Sequence, residues 1–472
     1  MNSNAPPEQP PPRKKGFFAR LCNIPARMSL PVRGAAVTAI FLFALVTVVW
    51  VVFWLDPNNI PWRHAMTLRR ISIVIGLAIL LPLLVYEGLR LWLEGDRSRF
   101  PDIEFAWNAG VGELAQHGLL IEAVPLFVIV GSHSYEQERA LMDAAGMELV
   151  VRGVPEGSAP LHWYAYPGGI FLFLTEANCL SALAALLMKR ADAAAGRSAS
   201  TATNFLAADE PDIGLTFKRS ADLTRRLQHV CGLINRARQP LCPCNGILTL
   251  LPFSAVKINE ESGEEFQRAI KSDLITLQEK LQVHCPVMSL VVGMEHESGF
   301  RELVRRIGAD RAYGQRFGMG FDVRGTATAE ELSVLAAHIS GRFENWIYSL
   351  FREPGALSRP GNRHLFSLLC QVRSVLQVRL AKLLAGGFGR DSLGTPILFC
   401  GCYFAAAGDT KDRQAFVKGA VEKMVDEQEH VEWTQETLSD DRRYARMVNM
   451  TMFLNAMLFL ALLVMIVRRV LR

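Results

Sequence analysis

The chain has 472 residues, half of them apolar, with nine cysteines and a formal net charge of +5. That length suits two or three domains, and the apolar share is rich for a soluble protein, so membrane-crossing segments are expected. The small positive excess forms no basic block beyond an N-terminal arm, which argues against a nucleic-acid partner. The odd, scattered cysteines argue against a disulfide framework.

Residues 1–33 are expected to be a disordered basic arm, with Pro6, Pro7 and Pro10 to Pro12 followed by Arg13, Lys14, Lys15, Arg20, Arg27 and Arg33. Residues 34–93 predict a transmembrane hairpin. Its first helix, 34–55, carries no charge over 22 residues, enough to cross a hydrocarbon core of about 30 Å. Its second, 71–90, spans if Glu87 and Arg90 snorkel. A third span is expected at 447–467, with a short tail at 468–472. Lysines and arginines flanking these spans favour the side holding the arm and the middle of the chain, which is therefore expected inside. The basic tail falls on the other side and counts against that orientation.

Between the spans, residues 94–325 predict an α/β domain and 326–446 a helical extension with a strand at 395–404. The elements run as a strand ending at Gly131, a helix closed by Gly146, a short strand over Met147 to Val151, and a hairpin from Trp163 to Leu174 turning at Pro167 and Gly168. Helices are expected over Ala177 to Ala195 and Thr216 to Arg238, the latter with a solvated basic face. A strand over Gly246 to Phe253, a helix over Glu264 to Gln282 and a strand over Val287 to Val292 follow. A turn at Gly293 leads to another helix, then helices over 328–352 and 364–386, a strand over Thr395 to Phe404 and a charged helix over Lys411 to Glu436. Apolar strands alternating with amphipathic helices predict a parallel sheet covered on both faces, with ligands at the carboxyl ends of its strands. Cys242 with Cys244, and Cys400 with Cys402, have the wrong spacing for a zinc knuckle or redox pair and are expected as buried thiols.

The run from Val124 to Gly146 has the skeleton of a phosphate-binding loop: strand, Gly131, polar loop, helix. A working loop would place Gly, Lys and Ser or Thr five, six and seven positions after Gly131, because backbone amides cradle phosphate, the lysine neutralises it and the hydroxyl holds magnesium. Here those positions are Glu136, Gln137 and Glu138. A carboxylate about 4 Å from a phosphate charge costs roughly 1 to 4 kcal/mol, and no lysine offsets it. Glu136 and Glu138 have a structural reading too, since acidic residues in a first helical turn meet the helix dipole favourably. His133 in the loop has no orienting carboxylate placed by sequence. No Gly-x-Ser-x-Gly or His-Glu-x-x-His pattern supplies a hydrolase nucleophile or metal site.

Several segments in one order resemble the IcmF/TssM family, inner-membrane components of bacterial type VI secretion systems and of related Dot/Icm type IV systems. Pro125 to Gly131 is similar to the family's strand entering its phosphate loop, and Trp163-Tyr164 to the aromatic pair before its second nucleotide motif. Pro243 with Asn245 to Leu250 resembles its Pro-Leu-Asn-Gly strand, and Pro286-Val287 with Gly299-Phe300 frame its guanine-type motif. Phe317 to Phe321 and Gly401 to Gly408 resemble two further family segments. The departures fall where nucleotide would bind: Phe173-Leu174-Thr175-Glu176 stands for Asp-Thr-Ala-Gly, and Val292-Gly293-Met294-Glu295 for Thr-Lys-x-Asp, with Glu295 keeping a carboxylate.

The resemblance implies a P-loop-NTPase-like α/β fold with degenerate nucleotide motifs, no catalysis, and no cofactor. It also implies a scaffold role in the bacterial inner membrane with the main domain cytoplasmic. Implied partners are a DotU/TssL-like inner-membrane protein, baseplate components and a periplasmic subunit supplied in trans, within an oligomeric complex. The family's periplasmic domain is expected to be missing after the third span. Two alternatives stand beside this: a membrane-bound enzyme with an unorthodox phosphate site, and a truncated regulator competing with a full-length relative.

Overall fold

In the computed structural model the described residues are 99–198, 214–238, 241–257, 260–390 and 397–439, with scattered positions within 38–47, 76–88 and 442–457. The chain divides into two units, Met1–Arg99 and Phe100–Arg472. In the first, the described positions up to 88 are helical, and Phe41, Phe43, Ile79, Leu83 and Leu84 are exposed. The arm at 1–33, the tail at 468–472 and most of the expected spans at 34–55, 71–90 and 447–467 lie outside the described residues. Among the described residues no helix is long and apolar enough to cross a membrane.

The second unit is a mixed α/β body. Its strands are β1 (Leu126–Val130), β2 (Val151–Val154), β3 (Leu161–Tyr166), β4 (Gly169–Leu174), β5 (Gly246–Pro252), β6 (Val283–His284), β7 (Val287–Val292), β8 (Phe317–Gly320), β9 (Phe399–Phe404), β10 (Ala406–Ala407), β11 (Gln414–Ala415) and β12 (Glu432–Trp433). Eight of them form one sheet in the order β2-β3-β4-β1-β5-β7-β9-β8. The inner five, β4 through β9, pair parallel, while β3 and β8 run against them and β2, antiparallel to β3, runs with them at the edge.

Full burial of the inner strands explains their near-continuous apolar runs. Successive side chains point to opposite faces, so Leu126, Val128 and Val130 enter one core and Phe127 and Ile129 the other. The first core is covered by α1 (Pro101–Gln116), α3 (Cys179–Ser198), α4 (Phe217–Arg238), α6 (Glu260–Leu281) and the later helices α9 (Ala329–Arg352) and α11 (Gln377–Phe388). The second is covered by α2 (Tyr135–Ala145) and α12 (Val417–Asp426). The expected apolar face of α6, from Phe266 to Leu281, is buried as its spacing requires. Gly110 lets α1 close onto β3, because a Cβ there would collide with the Trp163 indole. That indole packs edge-on against Trp107 at 4.9 Å, a contact contributing about 0.5 to 1.5 kcal/mol beyond burial.

Several predicted elements differ. The segment expected as one charged helix from Lys411 to Glu436 is broken up: α12 covers Val417–Asp426, 3-10 turns stand at Lys411–Arg413 and Glu427–His430, and a separate helical turn starts at Gln435. Before α12, β11 pairs antiparallel with β10, and Phe416 breaks the run at a left-handed φ of 64°. After it, buried Glu427 pairs with Lys423 and His430, and β12 joins β6. The short strand expected over Met147 to Val151 begins at Val151, because Gly146 closes α2 in the left-handed region and the chain must first turn back. Phe317–Gly320, for which no element is predicted, pairs antiparallel with β9. The helix expected over 364–386 is α10 (Asn362–Gln371) and α11 joined through a π-turn at Val372–Leu376. The sheet also crosses the boundary drawn at 325/326, since β9 lies between β7 and β8. Of the described cysteines, Cys370 is exposed and Cys242 half-buried, while the rest are buried thiols.

Candidate functional site

The chain leaves β1 toward β4 on one side and later returns as β5 on the other, so the turn after β1 occupies the switch point where open α/β sheets bind ligands. Gly131 opens that turn at φ 93°, and a Cβ there would collide with the Leu250 carbonyl oxygen of β5. The approach and the dihedral both demand glycine.

The amides that could cradle a phosphate are partly spent within the protein. The Gly131 N–H donates to Ser181 Oγ at 2.9 Å, and the His133 N–H to Gln137 Oε1 at 3.0 Å. Ser134 caps α2, its hydroxyl accepting the Gln137 N–H at 3.3 Å. Ser181 also donates to the Leu174 carbonyl at 2.7 Å, so the turns after β1 and β4 are tied together through α3.

The two loop carboxylates take different roles. Glu136 is exposed in the first turn of α2, as the dipole reading expects. Glu138 is wholly buried and points into a polar cluster that joins three elements. Thr175, just past β4, donates its hydroxyl to Glu138 Oε1. His162 of β3, also without exposed surface, places Nδ1 2.7 Å from Glu138 Oε2 and 3.2 Å from Thr175 Oγ1. Its Nε2 donates to the Gly157 carbonyl at 2.8 Å. Because a carbonyl only accepts and the threonine proton is given to Glu138, both ring nitrogens act as donors, the pattern of an imidazolium. Burial pulls the His162 pKa down, but the bond and charge of Glu138, with help from the Gly157 carbonyl, raise it on balance above its ordinary 6.5. The Tyr135 ring closes the cluster 5.0 Å from the imidazole.

The start of α3 is fixed from another side. Asp273 of α6, buried on that helix's apolar face, accepts the N–H groups of Cys179 and Leu180 at 3.1 and 2.8 Å. Burial pushes its carboxyl up to about 7, against those two donors.

At the end of β7, Gly293 turns at φ 86°, and Glu295 Oε2 accepts the Ala407 N–H at 3.1 Å, so the retained carboxylate stitches the turn after β9 to the turn after β7. Trp163 and Tyr164 are core residues on opposite faces of β3, not ligand contacts. The basic face expected of α4 is partly engaged. Arg226 pairs with Asp102 and donates to the Glu176 carbonyl, while Arg238 is buried among the carbonyls of Ile121, Val124 and Cys242.

His162, Thr175 and Asp273 are the residues sequence reasoning missed. His162 is the one residue in Leu-His-Trp-Tyr-Ala whose ordinary pKa lies near neutrality, and Asp273 falls on the apolar stripe between Ile270 and Leu274. Each was a visible break in pattern. Chemically, this buried carboxylate and imidazole hold α2, β3 and the turn after β4 together. No group of three or more metal-ligating side chains is found among the described residues.

The model of the IcmF-related N-terminal domain matches residues 221–458, just over half of the chain. The chain belongs to the IcmF-related family. The matched span contains β5 to β12 and Glu295, while Gly131, Glu138, His162 and Thr175 precede it. No curated protein and no solved structure matches the chain.

Proposed function

We propose that this IcmF-related chain is a non-catalytic scaffold subunit of a type VI-like secretion membrane complex. In this reading it is anchored in the bacterial inner membrane by three spans, with its α/β domain on the cytoplasmic side. That domain is a P-loop-NTPase-like frame whose phosphate corner has become a structural joint. The observation that carries the reading is Glu138, which stands where a magnesium-holding hydroxyl would be and is bonded instead to Thr175 and His162. Phosphate entering there would displace a neutralised pair and face a buried carboxylate. Glu295, bonded to Ala407, is likewise engaged where a base-reading acid would be. The partners of such a scaffold are a DotU/TssL-like protein, baseplate components and a periplasmic subunit.

Equilibrium dialysis of the full-length chain with labelled GTP and ATP, with and without magnesium, tests the enzyme question. No saturable binding is expected. Micromolar binding that a substitution at Gly131 removes would overturn the reading in favour of an unorthodox nucleotide site. Membrane fractionation with protease protection tests the anchoring and the side on which the domain lies.

A further inference from the structure

The fold gathers positive charge that is dispersed along the sequence. Residues 301–316 carry five arginines against Glu302 and Asp310, and residues 352–363 carry three against Glu353. The two segments meet where Arg306 of α7 (Ser298–Ile307) donates to Asn362 Oδ1 at 2.7 Å and to the Pro360 carbonyl at 3.2 Å. Their balance, five net positive charges, equals that of the entire chain. A basic block absent from the linear sequence is therefore built by the topology.

Beside this junction lies a cleft of about 400 Å³ lined by Arg306, Arg311, Gln315, Trp346, Ser349 and Glu353, among others. Arg311 belongs to α8 (Ala309–Gly314), Trp346 and Ser349 to α9, and Glu353 caps the end of α9. Its charges are only partly answered from within. Arg305 and Arg306 share the single carboxylate of Glu302, and Glu353 is already paired with Arg359 at 2.7 Å. The Arg306 side chain is 2% exposed, yet its Nη1 is buried without a hydrogen-bond partner among the described residues, a state that costs free energy unless something accepts from it. At the rim, Arg311, Gln315 and Ser349 are exposed. The Trp346 ring is held rigid against Phe317 at 4.8 Å and Phe416 at 5.8 Å. A fixed indole between arginines is the residue set that anchors protein interfaces.

We propose that this cleft docks an acidic segment of a partner polypeptide, with carboxylates received by Arg311 and Arg306 and an apolar side chain resting on Trp346 and Leu350. The proposal rests on the scaffold reading and names the chemistry of one of its partners. Charge complementarity selects the occupant: a neutral or basic segment would leave Arg306 and Arg311 desolvated without a counter-charge.

The test uses the purified full-length chain and a short fluorescein-labelled peptide rich in glutamate with leucine at every third position, beside the same peptide with glutamine for glutamate. Fluorescence anisotropy is expected to show the acidic peptide binding at least about tenfold more tightly, with affinity falling as salt rises. Arg311→Glu is expected to weaken it by a further factor of about ten, whereas Arg139→Glu, the same charge change on α2, leaves it within about twofold. Equal affinity for the two peptides overturns the proposal, as do equal losses in the two variants. It also falls if phosphatidylglycerol vesicles bind through Arg311 while the peptide does not, which would make the cleft a lipid-facing surface. Peptide failure with negative nucleotide dialysis removes the cleft alone, while saturable GTP binding removes the scaffold reading whatever the peptide does.

Discussion

At the β1–α2 corner, Glu138, His162 and Thr175 satisfy one another out of reach of water. In the cleft beside α7, α8 and α9, Arg306 shares the Glu302 carboxylate with Arg305 and keeps a buried Nη1 without an acceptor among the described residues, while Arg311 stands exposed at the rim. Both regions use charged side chains at the ends of packed elements, but at the corner a single buried positive charge faces a single buried carboxylate at 2.7 Å. The contrast teaches where to look for a binding surface: a buried pair of opposite charges holds elements together, whereas a guanidinium nitrogen without an acceptor beside an open cleft is available to something else.

The sharpest way to break this contrast is to open the corner. Glu138→Ala leaves His162 buried without its counter-ion and is expected to cost about 3 to 5 kcal/mol in urea unfolding. Glu138→Met combined with His162→Leu should recover much of that loss, because both charges then leave together. If the double variant is no more stable than the single, the cluster is not an isolated pair. Next in size is Gly131→Ala, expected to lose about 1 to 3 kcal/mol from its positive φ and more from the collision with Leu250.

Acidity sharpens the comparison further. Asp273, raised from 3.8 to about 7, binds its proton more tightly folded than unfolded, so stability falls as pH rises across that interval. His162, raised above 6.5, contributes stability that is complete below that value and lost as pH climbs through its folded pKa. Each group contributes at most about 1.4 kcal/mol per pH unit. Thermal unfolding midpoints should therefore decline as pH rises through the Asp273 interval and on past 6.5. Asp273→Asn should flatten the acid half of the decline and His162→Gln the alkaline half. The smallest effect belongs to the cleft: Arg311→Ala is expected to change stability by less than about 0.5 kcal/mol. A larger loss would mean that the guanidinium holds the fold and is not free to bind.

Much of the sheet was legible because β1, β5, β7 and β9 are buried on both faces and so read as unbroken apolar runs. What escaped was decided by contacts distant in sequence. β8 contains two glycines and exists because β9 offers it an edge. The segment after Phe416 has helical composition but ends at Asp426, where Glu427 turns inward to Lys423. At the corner, the departure from a phosphate-binding pattern was legible in Glu136, Gln137 and Glu138. The partners of Glu138 were not, because His162 and Thr175 lie 24 and 37 positions from it and only strand pairing brings them there. The arginine cleft was hidden for the same reason, its charges being spread over two segments that meet through Arg306 and Asn362.

The position of β9 bears on how the protein is made. It lies between β7 and β8, yet it is the last strand of the large sheet to leave the ribosome. Until Phe404 has emerged, the wholly buried β7 has a bare edge and β8 has nothing to pair with. A nascent or prematurely ended chain would thus present an apolar strand to any neighbour able to extend it, and translation must carry through the helices α9 to α11 before that hazard is sealed.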